Sequence, residues 1–357
     1  ADVIKVESPG YGDTFRWSAP APVTPSMAPG FMALNRGKRS IALDLKTAED
    51  LAVMQDLLRD ADVFVVNVRG KALERLGLDY EAVRALNPRI VYVHCVGFGQ
   101  DGPYADLQAY DDVIQAATGT ATLLPRDDGD PRPRYLPSLI ADKVAGLHAA
   151  YAAMAALFNR ERTGEGQCVE VPMFEVFSSF MLLEHLGGQT FDPPCGPVGY
   201  ARQIDPLRQP FPTADGAISI VIYTHDAWDR VFTLLEDPDF IAQERFNVPG
   251  GRAAHQGELY SHLASLTPNF ATVELLRRCA AVQIPAQPVR DLGEVIDDPH
   301  LNAVGFFTRR EHPTEGAYLE QAHPVKFSSG SAAPVRMPPG HDEHGAEIRA
   351  EVAARKG

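Results

Sequence analysis

Cysteine is scarce and basic charge is in deficit in this 357-residue chain. The four cysteines, Cys95, Cys168, Cys195 and Cys279, form no CxxC pair and no His/Cys spacing of the zinc type. That pattern excludes a disulfide scaffold and gives no metal site, and it leads us to expect reduced thiols in a cytoplasmic protein. Against 47 acids there are only 33 bases, a net charge of −14, and such a field repels nucleic acid and anionic membrane, so neither is an expected partner. Long apolar runs are also missing. The most apolar long stretch, Leu139 to Phe158, is alanine-rich and carries Asp142, Lys143 and His148, which suits a packed helix and not a membrane span. The opening Ala1-Asp2-Val3-Ile4-Lys5-Val6-Glu7 alternates apolar and polar like a half-buried strand, so no targeting segment is expected there. What is present, 45% hydrophobic and 22% charged residues, suffices for two modest cores.

Val3 to Val6 predicts a strand, and Ser8 to Asp13 with the proline-rich Ala19 to Gly30 predicts a long loop. Ser40 to Leu45 alternates like a strand. Thr47 then caps a helix, with Asp50 three residues on and apolar positions at Leu51, Met54, Leu57 and Leu58. Val63 to Val66 and Ile90 to Val96 read as buried strands; between them Ala72 to Leu76 and Tyr80 to Leu86 read as helices, the second stopped by Asn87-Pro88. Strands alternating with helices at this spacing predict an α/β fold, a Rossmann-like large domain with a parallel sheet. From Gly187 to Gly216 glycine and proline crowd the chain, the signature of a domain crossing. Beyond it a strand at Ala217 to Ile222 and helices at Asp226 to Leu235 and Ala271 to Val282 predict a smaller α/β domain. The expected division is 1–187 for the large domain, 188–210 for a linker, 211–306 for the small domain and 307–357 for a C-terminal segment returning to the large one.

Gly97-Phe98-Gly99-Gln100-Asp101-Gly102 follows a strand and matches GxGxxG. A dinucleotide site needs a helix to open within the glycines so that its first N–H groups meet the pyrophosphate. Here Pro103 follows at once and no helical period begins until about Val113, so the segment reads as a glycine-rich turn beside a site.

Asp142 stands at the mouth of an apolar helix, where residue physics alone favours a helix-capping role. The helix runs on into Arg162-Thr163-Gly164-Glu165-Gly166-Gln167. With Asn35-Arg36-Gly37-Lys38-Arg39-Ser40, Leu73-Glu74-Arg75-Leu76-Gly77, Asn87-Pro88-Arg89, Gly102-Pro103 and Tyr110-Asp111, this motif resembles the class III coenzyme A transferases, the CaiB/BaiF family that includes formyl-CoA and carnitine CoA-transferase types. The resemblance runs in order along essentially the whole chain, down to Asp298-Pro299, His312-Pro313 and Gly340-His341.

The resemblance implies a CoA-transferase whose nucleophile is Asp142. A carboxylate of reference pKa near 3.9 is ionised at neutral pH and attacks a thioester without a general base. The implied intermediates are an acyl-aspartyl anhydride, an aspartyl-CoA thioester and a second anhydride with the acceptor acid. Neither a metal nor a permanently bound cofactor is expected; acyl-CoA and a carboxylic acid are substrates. The resemblance places Leu43 and Lys46 at the adenine end of the coenzyme, Asn67 and Val68 along the nucleotide, Arg75 near the phosphates, Met173 along the coenzyme, and Tyr110 and Asp111 against the acyl group. Read without it, Lys46 and Arg75 are solvated helix positions, Met173 is core, and Tyr110-Asp111 is a turn. Two chains are expected to interlock as a homodimer.

The chain departs from the family in three places. About one βα unit that usually opens the family is expected to be missing, Gln108 stands where a lysine can help hold phosphate, and Val68-Arg69-Gly70-Lys71 replaces Phe-Arg-Pro-Gly. Two other readings remain open at this point: a 2-methylacyl-CoA racemase, which would need a histidine where Tyr110 stands, and an inactive acyl-CoA-binding protein. Arg202, Arg208 and Lys143 are the candidate cations for a second substrate carboxylate.

Overall fold

Parallel strands need helical crossovers to return the chain to the same edge, and the first hundred residues supply them. The computed structural model describes residues 1–329 and 336–355. Its first part runs β1 (Val3–Glu7), α1 (Pro29–Asn35), β2 (Lys38–Ala42), α2 (Ala48–Asp60), β3 (Val63–Val66), α3 (Gly70–Leu76), α4 (Tyr80–Leu86) and β4 (Val91–Val96). Then come α5 (Asp111–Ala117), α6 (Leu123–Asp128), α7 (Ile140–Thr163), β5 (Gln167–Pro172) and α8 (Met173–His185). The middle contains β6 (Phe211–Pro212), β7 (Ala217–Ile220), α9 (His225–Leu234), α10 (Pro238–Ile241), α11 (Glu244–Asn247), α12 (Gly251–Ala254), α13 (Gln256–Leu266), α14 (Thr272–Ala281) and β8 (Ala286–Pro288). The chain ends with α15 (Pro299–Ala303), β9 (Phe307–His312), β10 (Gly316–Gln321) and α16 (Gly345–Ala354).

Two compact units result, one of Ala1–Val96, Gly146–Val171 and Gly293–Gly357, the other of Gly97–Ala145 and Pro172–Leu292. In the first, β1 pairs in parallel with β2 from Val3↔Lys38 to Glu7↔Ala42. β3 pairs in parallel with β4 from Val63↔Val91 to Val66↔His94, in a sheet of order β3-β4-β5. Val91, Tyr92, Val93 and His94 are all buried, as a strand covered on both faces requires. The core here joins Ile41 on β2 and Leu43 just after it, Leu58 on α2, Leu73 on α3, Val83 on α4, Tyr92 on β4 and Ile348 on α16. Local signals close each element. Thr47 Oγ1 accepts from the Asp50 amide at 3.3 Å, and Asp79 accepts from Glu81 and Ala82 at the start of α4. Where α7 leads into β5, a Cβ on Gly166 would collide with the Ile90 carbonyl, so only glycine lets this turn pass so close to β4.

The second unit has two cores. One packs Trp228, Val231 and Phe232 of α9, Leu259 and Leu263 of α13, and Leu275 and Cys279 of α14 against Ile218 and Ile220 of the antiparallel sheet β6-β7-β8. The other joins Phe98, Ile114 of α5, Ala141 and Val144 of α7, and Phe177 of α8.

The mixed α/β class and the parallel pairs match expectation, and the stretch read as one long loop from Ala19 to Gly30 contains a difference. Pro29 opens α1 at its first turn, where its missing N–H costs nothing and its fixed φ favours the helix. Gly97 to Gly102 forms turns, and no helix opens before Asp111, so the dinucleotide motif lacks its helix. No helix among the described residues is long and apolar enough to cross a membrane.

Beneath α1 lies a buried ion pair. Glu7 Oε1 accepts from Arg16 Nη2 at 2.8 Å and from Ser40 Oγ at 2.7 Å, while Oε2 accepts from Arg16 Nε at 2.8 Å and from the Asp13 amide at 3.0 Å. The Arg16 guanidinium also stacks 3.8 Å over the Phe31 ring and donates to the Pro339 carbonyl. Burial alone would raise the Glu7 pKa, but the bonds from Arg16, Ser40 and Asp13 overcome it and pull it down to about 2. Glu7→Gln should therefore lower the unfolding free energy by about 3–5 kcal/mol, since it strands a buried guanidinium; urea denaturation measures it. Because the folded pKa is depressed, Glu7 contributes its full stabilisation above its unfolded value of about 4.3, and that contribution is lost as pH falls toward about 2. The variant's stability should accordingly vary less with pH across that window than the wild type's.

Candidate active site

Asp142, Asp111, Tyr110 and Met173 fall in the second unit, and the structure brings them together around the start of α7. The first free N–H groups of a helix need acceptors. At α7 the acceptor comes from 30 residues upstream: Asp111 Oδ1 takes the Ala141 amide at 2.7 Å and the Asp142 amide at 3.1 Å. Asp111 is only 4% exposed, and its Oδ2 accepts from Gln115 Nε2 at 2.7 Å. Gln115 in turn donates to the Ser138 carbonyl at 3.2 Å and accepts from the Leu136 amide at 2.8 Å, which fixes the segment leading into the helix.

Asp142 thus sits in the first turn of α7 with the capping position already filled from elsewhere. Its side chain is exposed, and no donor to its carboxylate is recorded among the described residues. Partial desolvation by the surrounding protein and the nearby Asp111 carboxylate both raise its pKa. A raised pKa means that the surroundings disfavour its charge, while the helix N-terminus beneath it favours that charge.

Tyr110, the residue before α5, is 73% exposed, so its phenol is open to solvent. Met173 opens α8 and packs against the core that holds Ala141 and Val144. Sequence reasoning missed Glu175, whose Oε1 accepts from the Gly99 amide at 2.9 Å and pins the glycine turn to α8. In that turn a Cβ on Gly97 would lie 2.5 Å from the Cβ of Ala109, so the backbone approach requires glycine. Lys143 donates to Ser138 Oγ at 2.8 Å, whereas Arg202 and Arg208 line one cavity.

The coenzyme candidates other than Met173 lie in the first unit: Leu43, Lys46, Asn67 and Val68 follow the carboxyl ends of β2 and β3, where open α/β sheets hold ligands, and Arg75 lies on α3. Leu43 is buried in the core and its amide donates to the Glu7 carbonyl at 2.9 Å, so its side chain is structural and its backbone carbonyl is the polar group on offer. Lys46 is exposed in the turn before α2. Asn67 and Val68 follow β3 and are exposed, with the Val68 carbonyl held at 2.9 Å from Nε2 of the nearly buried His94 on β4. His94 carried no signal in the sequence beyond its place in a strand. Arg75, in the last turn of α3, bonds the Lys71 carbonyl through Nε at 3.1 Å, leaving its terminal nitrogens outward. Among the described residues no group of three or more His, Cys, Asp or Glu is placed to hold a metal ion.

The family model for CoA-transferase family III matches residues 1–345. The chain belongs to this family, and it is a CoA-transferase. It is 32% identical over 357 residues to a succinate–glutarate CoA-transferase of Agrobacterium fabrum, covering 99% of this chain and 89% of that protein. It is 30% identical to a formyl-CoA:oxalate CoA-transferase of Afipia carboxidovorans, covering 99% of this chain and 87% of that protein. Among solved structures, a CaiB/BaiF family protein from Brucella suis superposes with a TM-score of 0.79 at 31% identity, over 99% of this chain and 92% of that one. A hypothetical protein from Mycobacterium tuberculosis superposes with a TM-score of 0.82 at 27% identity, over 98% and 91%.

In this CoA-transferase the Asp111 charge should be readable at Asp142. Asp111→Asn keeps an oxygen acceptor for the two amides but removes the negative charge, so the Asp142 pKa should fall toward the ordinary aspartate value, followed by carboxyl carbon NMR through a pH titration. An unmoved midpoint would leave desolvation as the whole cause. Asp111→Ala, which uncaps the helix as well, should cost about 1–3 kcal/mol of stability.

Proposed function

We propose that the chain moves coenzyme A between an acyl-CoA thioester and a free carboxylic acid with Asp142 as the nucleophile. The carboxylate attacks the thioester carbonyl, the thiolate leaves as CoA, and an acyl-aspartyl anhydride remains. CoA thiolate then attacks the aspartyl carbonyl, releasing the first acid and leaving an aspartyl-CoA thioester. The acceptor carboxylate attacks that thioester to form the second anhydride, and returning CoA takes the acyl group and frees Asp142. Each step exchanges one activated acyl bond for another, so no ATP is consumed. The observation that carries this reading is the unengaged Asp142 carboxylate at a helix start already capped by Asp111.

In this reading Leu43, Lys46, Asn67, Val68, Arg75 and Met173 serve the coenzyme, and Tyr110 borders the acyl group. Asp111, expected there too, gains from its burial a positioning role, acting through the backbone and charge of Asp142. The relatives named for succinate, glutarate and oxalate support a carboxylic acid as the acceptor. The functional division of the chain is 1–187, 188–210, 211–306 and 307–357, supported by the separate core between Phe211 and Ala286. Four free cysteines support a reducing, cytoplasmic setting.

Incubation with acyl-CoA followed by intact-mass measurement tests the nucleophile. Wild type should gain an acyl or CoA adduct that localises to Asp142. Asp142→Asn should show none and lose transfer by on the order of 10⁴-fold, with CoA affinity retained within about tenfold because the nucleotide supplies most of the binding energy. The sign of its stability change is a second reading. Since the folded pKa of Asp142 is raised, its ionisation costs stability at neutral pH, a cost that vanishes as pH falls below the ordinary aspartate value. Asp142→Asn should therefore melt at or above the wild-type temperature at pH 7, whereas a capping residue would lose stability.

The homodimer is proposed on α7 itself. Leu147, Tyr151, Met154 and Phe158 recur at i, i+4, i+7 and i+11, one face of the helix, and are 69%, 59%, 65% and 68% exposed. Such a stripe is costly in water and suits a second copy of the chain. Light scattering should report a dimer for the wild type and a smaller species for Leu147→Glu/Met154→Glu; a monomeric wild type would overturn the assignment.

A further inference from the structure

Arginines in the second unit are paired as a rule. Arg230, Arg245, Arg252, Arg277 and Arg278 each hold a carboxylate, namely Asp226, Glu258, Asp229, Glu274 and Glu236 in turn. Arg202 and Arg208 depart from the rule. Arg202 Nη2 donates to the Ile222 carbonyl at 3.4 Å and its guanidinium lies 4.2 Å over the Tyr223 ring, while Arg208 Nη1 donates to Gln203 Oε1 at 2.8 Å. Neither meets a carboxylate within ion-pair distance among the described residues. Both line one cavity of about 230 Å³, walled by Phe211, Ile220, Ile222 and Tyr260, and no acidic residue lines it. Those four side chains are nearly buried, so the cavity is a formed part of the fold.

Two guanidinium groups without a carboxylate partner thus line one small cavity, in a chain whose acids outnumber its bases by 14. The arrangement wants an anion of its own. The planar fork of arginine matches a carboxylate in bidentate fashion, and apolar walls between polar anchors suit a short methylene chain. The volume lies below that of sites for drug-sized ligands, too small for a nucleotide. We propose that the Arg202/Arg208 cavity is a binding site for a short aliphatic dicarboxylate. The site is a property of the second unit alone and does not depend on the chemistry assigned to Asp142.

The test leaves CoA out, so its result is separable from the transfer reading. Succinate, butyrate and inorganic phosphate are titrated calorimetrically into the full chain at fixed ionic strength. Succinate should bind saturably and at least tenfold more tightly than butyrate or phosphate. Arg202→Gln and Arg208→Gln should each weaken succinate at least tenfold, with Arg202→Lys retaining part of the affinity as a check that the fold around Tyr223 survives. Butyrate as tight as succinate would overturn the two-charge assignment, and phosphate tighter than succinate would overturn the carboxylate. No saturable binding of succinate, or unchanged affinity in both glutamine variants, would remove the site.

Discussion

One carboxylate, that of Asp111, organises the start of α7. It is buried, it accepts two helix N–H groups, and through Gln115 it holds the segment from Leu136 to Ser138. Without it the helix would begin on unsatisfied donors, and the obvious local acceptor would be the first-turn acid, Asp142. Because a remote acid fills that role, Asp142 is released from the common duty of acids at helix starts. The freedom of its carboxylate is thus a consequence of where another residue's hydrogen bonds go. The arrangement carries a cost, since burial disfavours charge and two carboxylates lie close together, and both effects raise the Asp142 pKa.

The first unit solves a different problem. A chain with a net charge of −14 must hold an anionic coenzyme by local means, and in the proposed reading the ends of β2 and β3 provide them. Exposed Lys46 and Arg75 are cations on the surface, and Asn67 and the backbone after β3 offer neutral donors and acceptors. The Val68 carbonyl is pinned by His94, so this short loop is held from within the sheet rather than by its own sequence. The Glu7–Arg16 pair ties β1, β2 through Ser40, and the C-terminal stretch at Pro339 into one buried network.

What was legible in the sequence was local. Tyr80 to Leu86 could be read as a helix because Asp79 caps it and Asn87-Pro88 stops it. In the structure Asn87 also donates to the Leu58 and Ala61 carbonyls at the end of α2, a long-range contact that no pattern announces. Val63 to Val66 was visible as a run of apolar residues, and the failed GxGxxG as a turn without a helix behind it. The helix at Pro29 was hidden because proline in a proline-rich stretch signals a loop as readily as a helix start. The candidate nucleophile came from a family motif, whereas residue physics favoured a cap. Both readings used the same fact, an acid at a helix mouth, and only a hydrogen bond across 30 residues separates them.

The same logic bears on the unpaired cations. A charged side chain in a folded protein is usually accounted for by its neighbours, so a site shows as a place where that accounting stays open. Among the described residues Asp142 has helix N–H groups beneath it but no donor on its carboxylate, and Arg202 and Arg208 have partners for some nitrogens but no anion. Structural ion pairs, such as Arg16 with Glu7 or Arg252 with Asp229, close on themselves and need no ligand. Among residues of identical type, then, what separates a functional charge from a structural one is whether the fold itself supplies the opposite sign.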